Sequence, residues 1–450
     1  MEHRGNFGSR LGIILATAGS AVGLGNIWRF PTEVGRNGGA AFILLYLCCV
    51  FFFAMPVMVS EFIVGRRSKS NTIGAYRVLS PGKPWVVIGY MGVLGGVLIL
   101  SFYSVVAGWT LHYTVDSFRN VLSADLDFAA VFNDFVTHPW KPLVYQYVFL
   151  FMTHFVVARG VESGIERFSK MMMPTLFLLI LVLTGFSLCM PGAADGLTFL
   201  LKPDFSKVTT SVVLSAMGQA FFSLSVGVGC LATYASYFKS DTRLVKSAFS
   251  VCFIDSMVAI LSGFIIFPAA FSVAGVEVDA GPGLVYITLP HVFNMAFGSM
   301  PVVGYVFSGM FYVLLLLAAI TSTISMHEIA TAFITENFKL PRKSSAVIVT
   351  SICFLLGTAC SLSFGVWSEV KLFGMGFFDL FDFVTAKYMM PLGGLLITLF
   401  VGWYLNQKIV RDELTNEGTL QVRSYRFLLF LIRWVAPVGV VIIFLNELMQ

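Results

Sequence analysis

Charged residues are scarce in this sequence. They make up 12% of its 450 residues, and 57% of the residues are hydrophobic, whereas soluble domains carry about 25% charged residues. With a mean hydropathy of +0.84, the chain is expected to lie in a lipid bilayer. The first apolar segment runs on without an A-x-A-type cleavage site. We therefore interpret it as a retained helix and not as a signal peptide.

Motifs for metal, nucleotide or covalent chemistry are also missing. The seven cysteines have no paired spacing in loops, so neither a disulfide framework nor a metal site is predicted. Thr331 stands where an H-E-x-x-H motif beginning at His327 would need its second histidine. The glycine-rich stretch from Gly19 has no preceding strand and no G-K-[ST], which argues against a nucleotide-binding loop.

Apolar stretches long enough to cross about 30 Å of hydrocarbon recur along the whole chain. We predict an all-α integral membrane protein with eleven transmembrane helices. The approximate ranges of the spans are 11–36, 40–65, 86–118, 143–159, 170–190, 209–238, 244–273, 302–336, 344–364, 373–405 and 426–446. Lys and Arg concentrate in the loops after the second, sixth and eighth spans. By the positive-inside rule this places the N-terminus in the cytoplasm and the C-terminus outside.

Two of these spans are interrupted by glycines. Gly19, Gly23 and Gly25 fall within the first span, and Gly227 and Gly229 fall within the sixth. Broken spans at corresponding positions of two halves indicate a transporter with an inverted repeat, whose unwound backbone binds ions and ligand near the midplane. The alternative is that these glycines only allow close helix packing.

Several polar residues lie inside the predicted spans, where each charge is costly. They are Asn26, Arg29, Glu61, Asp255, Glu328 and Asp382. Near span ends, Arg29 and Asp382 could simply snorkel to the interface, and the deeper carboxyls could be protonated or paired. The eighth span also carries Thr321, Ser322, Thr323 and Ser325. Such hydroxyls often bond only to their own helix, but four together favour oxygen ligands for an alkali cation.

The most specific segments are AGSAVGLGNIWRFP from Ala18, NGGAAF from Asn37, QAFFSLSVGVG from Gln219 and TYASY from Thr233. In these segments, and over nearly its whole length, the chain resembles the neurotransmitter:sodium symporters, in their bacterial branch without a twelfth span. The resemblance implies the LeuT-type fold, a 5+5 inverted repeat with helices 1 and 6 unwound at the midplane. Residues 1–190 would form the first repeat, 209–405 the second, and 426–450 the eleventh span.

The resemblance also implies two sodium sites. The first would use the Ala21 carbonyl, Asn26, Ser223 and Asp255, together with the substrate carboxylate. The second would use the carbonyls of Gly19, Val22 and Ala318 with the hydroxyls of Thr321 and Ser322.

A chloride requirement is not expected. Tyr46, Gln219 and Ser223 match three positions that hold chloride in chloride-dependent relatives, but Ala259 replaces a serine there, and Asp255 stands where many members have asparagine. Because a fixed carboxylate can replace the anion, we predict chloride-independent transport, with proton counter-movement through Asp255 left open.

The expected substrate is a hydrophobic or aromatic L-amino acid. Monoamine transporters of this family carry Asp where this chain has Gly23, so a substrate with its own carboxylate is implied. The backbone at Leu24 and Gly25 and the Tyr103 hydroxyl would hold that carboxylate. The other substrate contacts implied by the resemblance are Ser20, Ala21, Ile99, Phe222, Ser223, Ser225, Val228, Ser322 and Met326.

Two gates are implied as well. Arg29 and Asp382 would form the outer ion pair above Tyr103 and Phe222, and Arg4 and Glu336 would form the inner ion pair. Gly164 and Pro174 match a family spacing that lets the fifth span unwind. The alternative is that they mark the start of a helix.

The sequence therefore predicts a sodium-coupled amino-acid symporter, not an enzyme, in the bacterial inner membrane. Its expected partners are the amino acid, sodium ions at two sites and the bilayer, with no nucleic acid and no obligate protein partner. A membrane sensor would show the same binding residues, but the longest inner loop, 406–425, is too short for a signalling domain. An intramembrane enzyme would need a metal pair or a matched nucleophile and base.

Overall fold

The structure is a computed structural model that describes residues 5–119, 126–273, 283–297, 300–420 and 425–449. Its secondary structure is helical. Eight helices are long and apolar enough to cross a membrane: Ala40–Ser68, Val86–Phe118, Val161–Ser187, Leu244–Phe271, Val302–Asn337, Arg342–Leu362, Phe377–Tyr404 and Tyr425–Asn446. Shorter helices include Phe128–Thr137, Ala193–Leu201, Leu289–Ala296 and Gln407–Thr415.

The first predicted span consists of two helices, Arg10–Ala21 and Gly25–Arg36, which meet at an angle of 57°. Ser9 caps the first of them, since its side chain accepts a hydrogen bond from the Gly12 amide at 3.0 Å. With this bent pair taken as one span, the described residues contain up to nine membrane-crossing units.

The fourth and sixth predicted spans are helical, but neither is a helix that is both long and apolar enough to be counted as membrane-crossing. The fourth is the helix Lys141–Ala158, which has a polar start. The sixth is divided into Thr210–Ser223 and Cys230–Ala235. The all-α membrane fold is thus confirmed, and the count of eleven spans and the division into two repeats stay predictions.

The surface of the helical bundle fits a lipid environment. Large apolar side chains such as Phe151, Leu178 and Leu355 are exposed at 58%, 62% and 75%. Helices suit such an environment because each satisfies its own backbone polar groups.

Glycines allow some helices to pack in backbone contact. A Cβ atom on Gly65 would lie 2.0 Å from the carbonyl oxygen of Ala232, and one on Gly108 would lie 2.7 Å from the amide nitrogen of Gln146. Close packing therefore explains these two glycines, which lie outside the interrupted segments. The long third and eighth spans, Val86–Phe118 and Val302–Asn337, form an extensive central contact beside the broken spans.

Candidate functional site

The break in the first span exposes backbone amides that side chains then satisfy. The Gly23 amide donates to Oδ1 of Asn26 at 2.9 Å, and the Leu24 amide donates to the Tyr103 hydroxyl at 3.0 Å. There is little room for a side chain here. A Cβ atom on Gly23 would lie 2.6 Å from Oγ of Ser322, and one on Gly25 would lie 2.7 Å from the Phe222 ring. The two glycines thus let the break lie directly against its neighbours.

The break in the sixth span depends on left-handed backbone and a buried carboxylate. Ser225, Gly227 and Gly229 have positive φ angles of 50°, 88° and 86°. Glu61, which is fully buried, accepts hydrogen bonds from the Gly227 amide at 2.6 Å and the Ala232 amide at 3.1 Å. Glu61 therefore stabilises this break. The sequence left open that the deeper carboxyls are paired with a helix, and Glu61 does pair with backbone amides of the sixth span.

A cavity lies between the two breaks. Ten of the predicted substrate contacts line it: Ala21, Gly25, Ile99, Tyr103, Phe222, Ser223, Ser225, Val228, Ser322 and Met326. Leu24 contributes its amide to Tyr103 as described above. Ser20 is different, because its buried hydroxyl has no hydrogen-bond partner among the described residues and it does not line this cavity.

The cavity also has walls that sequence reasoning missed. They are Phe102, Cys230, Thr385, Ala386 and Met390. Phe102 and Cys230 directly adjoin Tyr103 and Gly229 in the chain. Thr385 lies three residues after Asp382, which places both on one side of the tenth span. That helical spacing was the available signal for Thr385.

The residues predicted for the first sodium site lie in contact with one another. Nδ2 of Asn26 donates to Oδ1 of Asp255 at 2.7 Å and to Oγ of Ser223 at 3.1 Å. The Ser223 hydroxyl donates to Oδ2 of Asp255 at 2.6 Å. Asp255 is fully buried. This cluster joins the first, sixth and seventh spans around a carboxylate.

The positions that match a chloride site surround the same carboxylate. The Tyr46 hydroxyl lies 3.3 Å from both Oδ2 of Asp255 and Oγ of Ser223. Nε2 of Gln219 donates to the Gly25 carbonyl at 3.4 Å. Asp255 therefore accepts from Tyr46 and Ser223, two of the hydroxyls that the resemblance assigns to an anion.

The second predicted sodium site is also brought together. The Thr321 and Ser322 hydroxyls lie 3.4 and 3.1 Å from the Val22 carbonyl, and the Thr321 hydroxyl lies 3.0 Å from the Ala318 carbonyl. A Cβ atom built on Gly19 would lie 3.4 Å from Cβ of Thr321. The hydroxyls thus point at the end of the first half-helix, where carbonyls lack partners within the helix.

On one side of the cavity, Arg29 and Asp382 line a vestibule of about 510 Å³, which also includes Trp28 and Phe222. The Arg29 guanidinium lies 4.0 Å from the centre of the Phe222 ring. Within the described part of the chain it forms this cation–π contact instead of a direct ion pair with Asp382. The function of the two residues as an outer gate stays a prediction.

On the other side, Arg4 lies outside the described residues, so its pairing with Glu336 stays a prediction. The Glu336 carboxylate accepts from the amide and the side chain of Asn71 at 2.8 and 2.9 Å. Sequence reasoning missed a second buried network, in which Glu328 accepts from the Tyr237 hydroxyl at 2.7 Å and from Arg342 at 3.0 Å. It ties the sixth, eighth and ninth spans together.

Glu166 of the fifth span holds the start of the first span. Its carboxylate accepts from the Gly8 amide at 2.5 Å and the Ser9 hydroxyl at 2.9 Å, and it pairs with Lys170 at 2.6 Å. Glu166 ends a short π-helical turn, Val161–Glu166, that contains Gly164. The predicted unwinding element thus directly contacts the start of the half-helix on which the resemblance places sodium ligands.

Comparisons with known proteins agree with this geometry. The model of the sodium:neurotransmitter symporter family matches residues 4–127 and 126–450. An uncharacterized sodium-dependent transporter of Bacillus subtilis (strain 168), YhdH, is 40% identical over 441 residues, covering 97% of this chain and 96% of the relative. An uncharacterized sodium-dependent transporter of Haemophilus influenzae is 33% identical, covering 99% of each chain.

Among solved structures, a crystal structure of MhsT in complex with L-phenylalanine is similar, with a TM-score of 0.89 and 42% sequence identity. It covers 99% of this chain and 100% of MhsT. The chain therefore belongs to the sodium:neurotransmitter symporter family and has the LeuT-type fold. It is a multi-pass membrane transporter that uses sodium and not an enzyme.

Proposed function

We propose that this protein imports a hydrophobic or aromatic L-amino acid by alternating access, driven by sodium at two sites and independent of chloride. The observation that carries the proposal is the cavity between the two helix breaks, with the clusters of both predicted sodium sites at its edges. With the N-terminus in the cytoplasm of a bacterial inner membrane, as proposed, sodium that enters the cell down its gradient would carry the amino acid inward, which is import.

The proposed substrate orientation follows from the groups that face the cavity. The Leu24 amide donates to the Tyr103 hydroxyl beside Gly25, and this amide and the O–H of Tyr103 are the two groups that would donate to a substrate carboxylate. That carboxylate would also be a ligand of the sodium ion at Asn26. Because Gly23 leaves no room for a side chain, the chain cannot supply the carboxylate from this position. The substrate must then bring its own, as an amino acid does.

The substrate side chain would meet an apolar compartment. Ile99, Phe102, Val228, Met326 and Met390 line the cavity. Met side chains adapt to differently shaped apolar groups, which favours several hydrophobic amino acids over a single one. The phenylalanine bound to MhsT, a relative 42% identical to this chain, supports an aromatic substrate.

The test is uptake of labelled phenylalanine by purified protein in liposomes. We expect accumulation only when sodium is higher outside, and no accumulation when choline replaces it. Competition by unlabelled amino acids should be strongest for Leu, Met, Phe, Tyr and Trp, and weak for Asp and Lys. Replacing external chloride by gluconate should leave the initial rate unchanged. Uptake that did not depend on the sodium gradient would overturn the proposal.

Coupling between sodium and substrate is tested at Asn26. Asn26→Ala should weaken the binding of both sodium and amino acid, because the substrate carboxylate and the Asn26 oxygen are proposed to share one sodium ion. Such reciprocal couplings are typically about 5–150-fold in affinity. Asn133→Ala serves as control, since Asn133 lies in the short helix Phe128–Thr137, away from both breaks. Equal effects of the two variants would contradict the assignment.

A further inference from the structure

A second cavity lies at the end of the bundle where the first span begins. It has a volume of about 220 Å³ and lies between the helix that begins at Arg10 and the helix Leu244–Phe271. Three cationic residues, Arg10, Arg243 and Lys246, line it together with Ile13 and Ile14. None of these residues touches the cavity between the helix breaks.

The positive charge of this cavity is only partly compensated. Arg10 forms an ion pair with Asp241 at 2.8 Å, and both side chains are exposed. This hydrogen bond lowers the pKa of Asp241, so the aspartate is charged at neutral pH. Arg243 and Lys246 are exposed, and no acidic residue in the described part of the chain lines this cavity. Asp412 and Glu417 border Arg243 only in the adjoining groove. Within the described residues Arg243 and Lys246 form no ion pair. A net positive charge is left for an anion.

Below the cations, the same surface is apolar. Phe249 and Phe253 follow Lys246 by three and seven residues, which places them along one face of the helix, and they are exposed at 51% and 54%. On the facing helix Leu11 is exposed at 61%. Cations at one end and exposed apolar side chains along the helix face match a phosphate head group and its acyl chains.

We propose that this cavity binds the head group of an anionic phospholipid in the inner leaflet. Basic pockets between transmembrane helices on the cytoplasmic side suit such head groups. The proposal rests on the proposed orientation, because Arg10 and Arg243 then lie at the cytoplasmic surface. A phosphate that contacts Arg10 and Lys246 bridges the first and seventh spans, so the bound lipid stabilises their packing.

The test is lipid binding to the purified full-length protein in detergent, measured by native mass spectrometry with phosphatidylglycerol or phosphatidylcholine. We expect wild-type protein to retain phosphatidylglycerol at least tenfold more tightly. The variant Arg243→Gln with Lys246→Gln should weaken phosphatidylglycerol binding by about 25-fold, at about fivefold for each cation, and leave phosphatidylcholine binding unchanged.

A matched control removes the same charge elsewhere on the same side. Lys339 and Lys343 are exposed and lie at the loop before the ninth span, so Lys339→Gln with Lys343→Gln should change binding less than twofold. Equal losses in both variants would mean diffuse attraction and overturn the proposal. Inorganic phosphate that displaced phosphatidylglycerol at submillimolar concentration would show a free-phosphate site instead. Sodium-driven uptake by both variants is measured in liposomes as well. Uptake that persists when lipid binding is lost shows that a failed lipid result is not a failure of the proposed transport function.

Discussion

The carboxylate of Asp255 is the centre of the first predicted sodium site, and its removal should make transport depend on a small anion. The side chain is fully buried. It accepts hydrogen bonds from Asn26 at 2.7 Å, from Ser223 at 2.6 Å and from Tyr46 at 3.3 Å. In Asp255→Ala these donors remain, but they face an empty space in place of a negative charge.

The size of the effect follows from these contacts. A hydrogen bond to a charged group contributes about 1.5–3 kcal/mol, so the two short bonds together contribute about 3–6 kcal/mol to the arrangement of the site. If only half of about 3 kcal/mol is lost from the free energy of sodium binding, the sodium affinity falls about tenfold, since about 1.4 kcal/mol corresponds to a factor of ten. We therefore expect the sodium concentration for half-maximal uptake to rise at least tenfold in Asp255→Ala.

Chloride should partly restore sodium affinity in Asp255→Ala, because the Tyr46 and Ser223 hydroxyls can then donate to it. Asp255→Glu is the control. It keeps the negative charge beside the Tyr46 and Ser223 hydroxyls, so chloride should not change its sodium affinity. The assay is sodium titration of uptake in liposomes with chloride or gluconate as the anion.

Two results would refute this reasoning. If wild-type uptake fell when gluconate replaced chloride, the carboxylate would not be standing in for an anion. If chloride raised the sodium affinity of Asp255→Glu as much as that of Asp255→Ala, or did not raise that of Asp255→Ala, the donors around Asp255 would not form an anion site. A loss of folded protein, monitored by gel filtration, would be separated from a loss of sodium affinity by measuring uptake at saturating sodium.

Three further predictions concern other parts of the site. Tyr103→Phe should weaken amino-acid binding about tenfold or more, because the proposed hydrogen bond from the Tyr103 hydroxyl to the substrate carboxylate is lost and a hydrogen bond to a charged group contributes about 1.5–3 kcal/mol; a scintillation proximity assay would measure this, and an unchanged affinity would exclude a carboxylate contact there. Thr321→Ala should raise the sodium requirement several-fold in sodium-dependent binding, whereas Thr323→Ala, whose hydroxyl bonds to its own helix at 3.0 Å and to Thr153 at 2.9 Å, should not. Glu166→Gln should increase the cytoplasmic accessibility of a thiol reporter in the sixth span, because the start of the first span loses its anionic anchor; equal labelling in wild type and variant would contradict this.

The two helix breaks could be predicted from the sequence because glycine marks them locally. Gly23 and Gly25 weaken a helix intrinsically, and their positions were enough to indicate where the first span unwinds. The partners that satisfy the break could not be predicted in the same way. Glu61 reaches the Gly227 amide across 166 positions, and such a contact depends on how the second and sixth spans pack.

The cavity shows the same limit. Residues adjacent to a recognised segment, such as Tyr103 and Phe222, could be assigned from the resemblance. Thr385 and Met390 line the cavity because the tenth span packs across it, and the helical spacing of Thr385 from Asp382 was the one local signal for that contact. Arg29 was expected opposite Asp382, but its guanidinium lies over the Phe222 ring. Such a cation–π contact competes with an ion pair for the guanidinium.

The two breaks also differ in how their backbone amides are satisfied, and this difference explains why one of them is suited to bind substrate. In the sixth span the Gly227 and Ala232 amides bond to the fixed carboxylate of Glu61, so no anion from outside is needed. In the first span the Leu24 amide bonds only to the neutral Tyr103 hydroxyl among the described residues. A charged acceptor forms a stronger hydrogen bond than a neutral one. A substrate carboxylate would therefore improve the bonding at Leu24 and could not do so at Gly227.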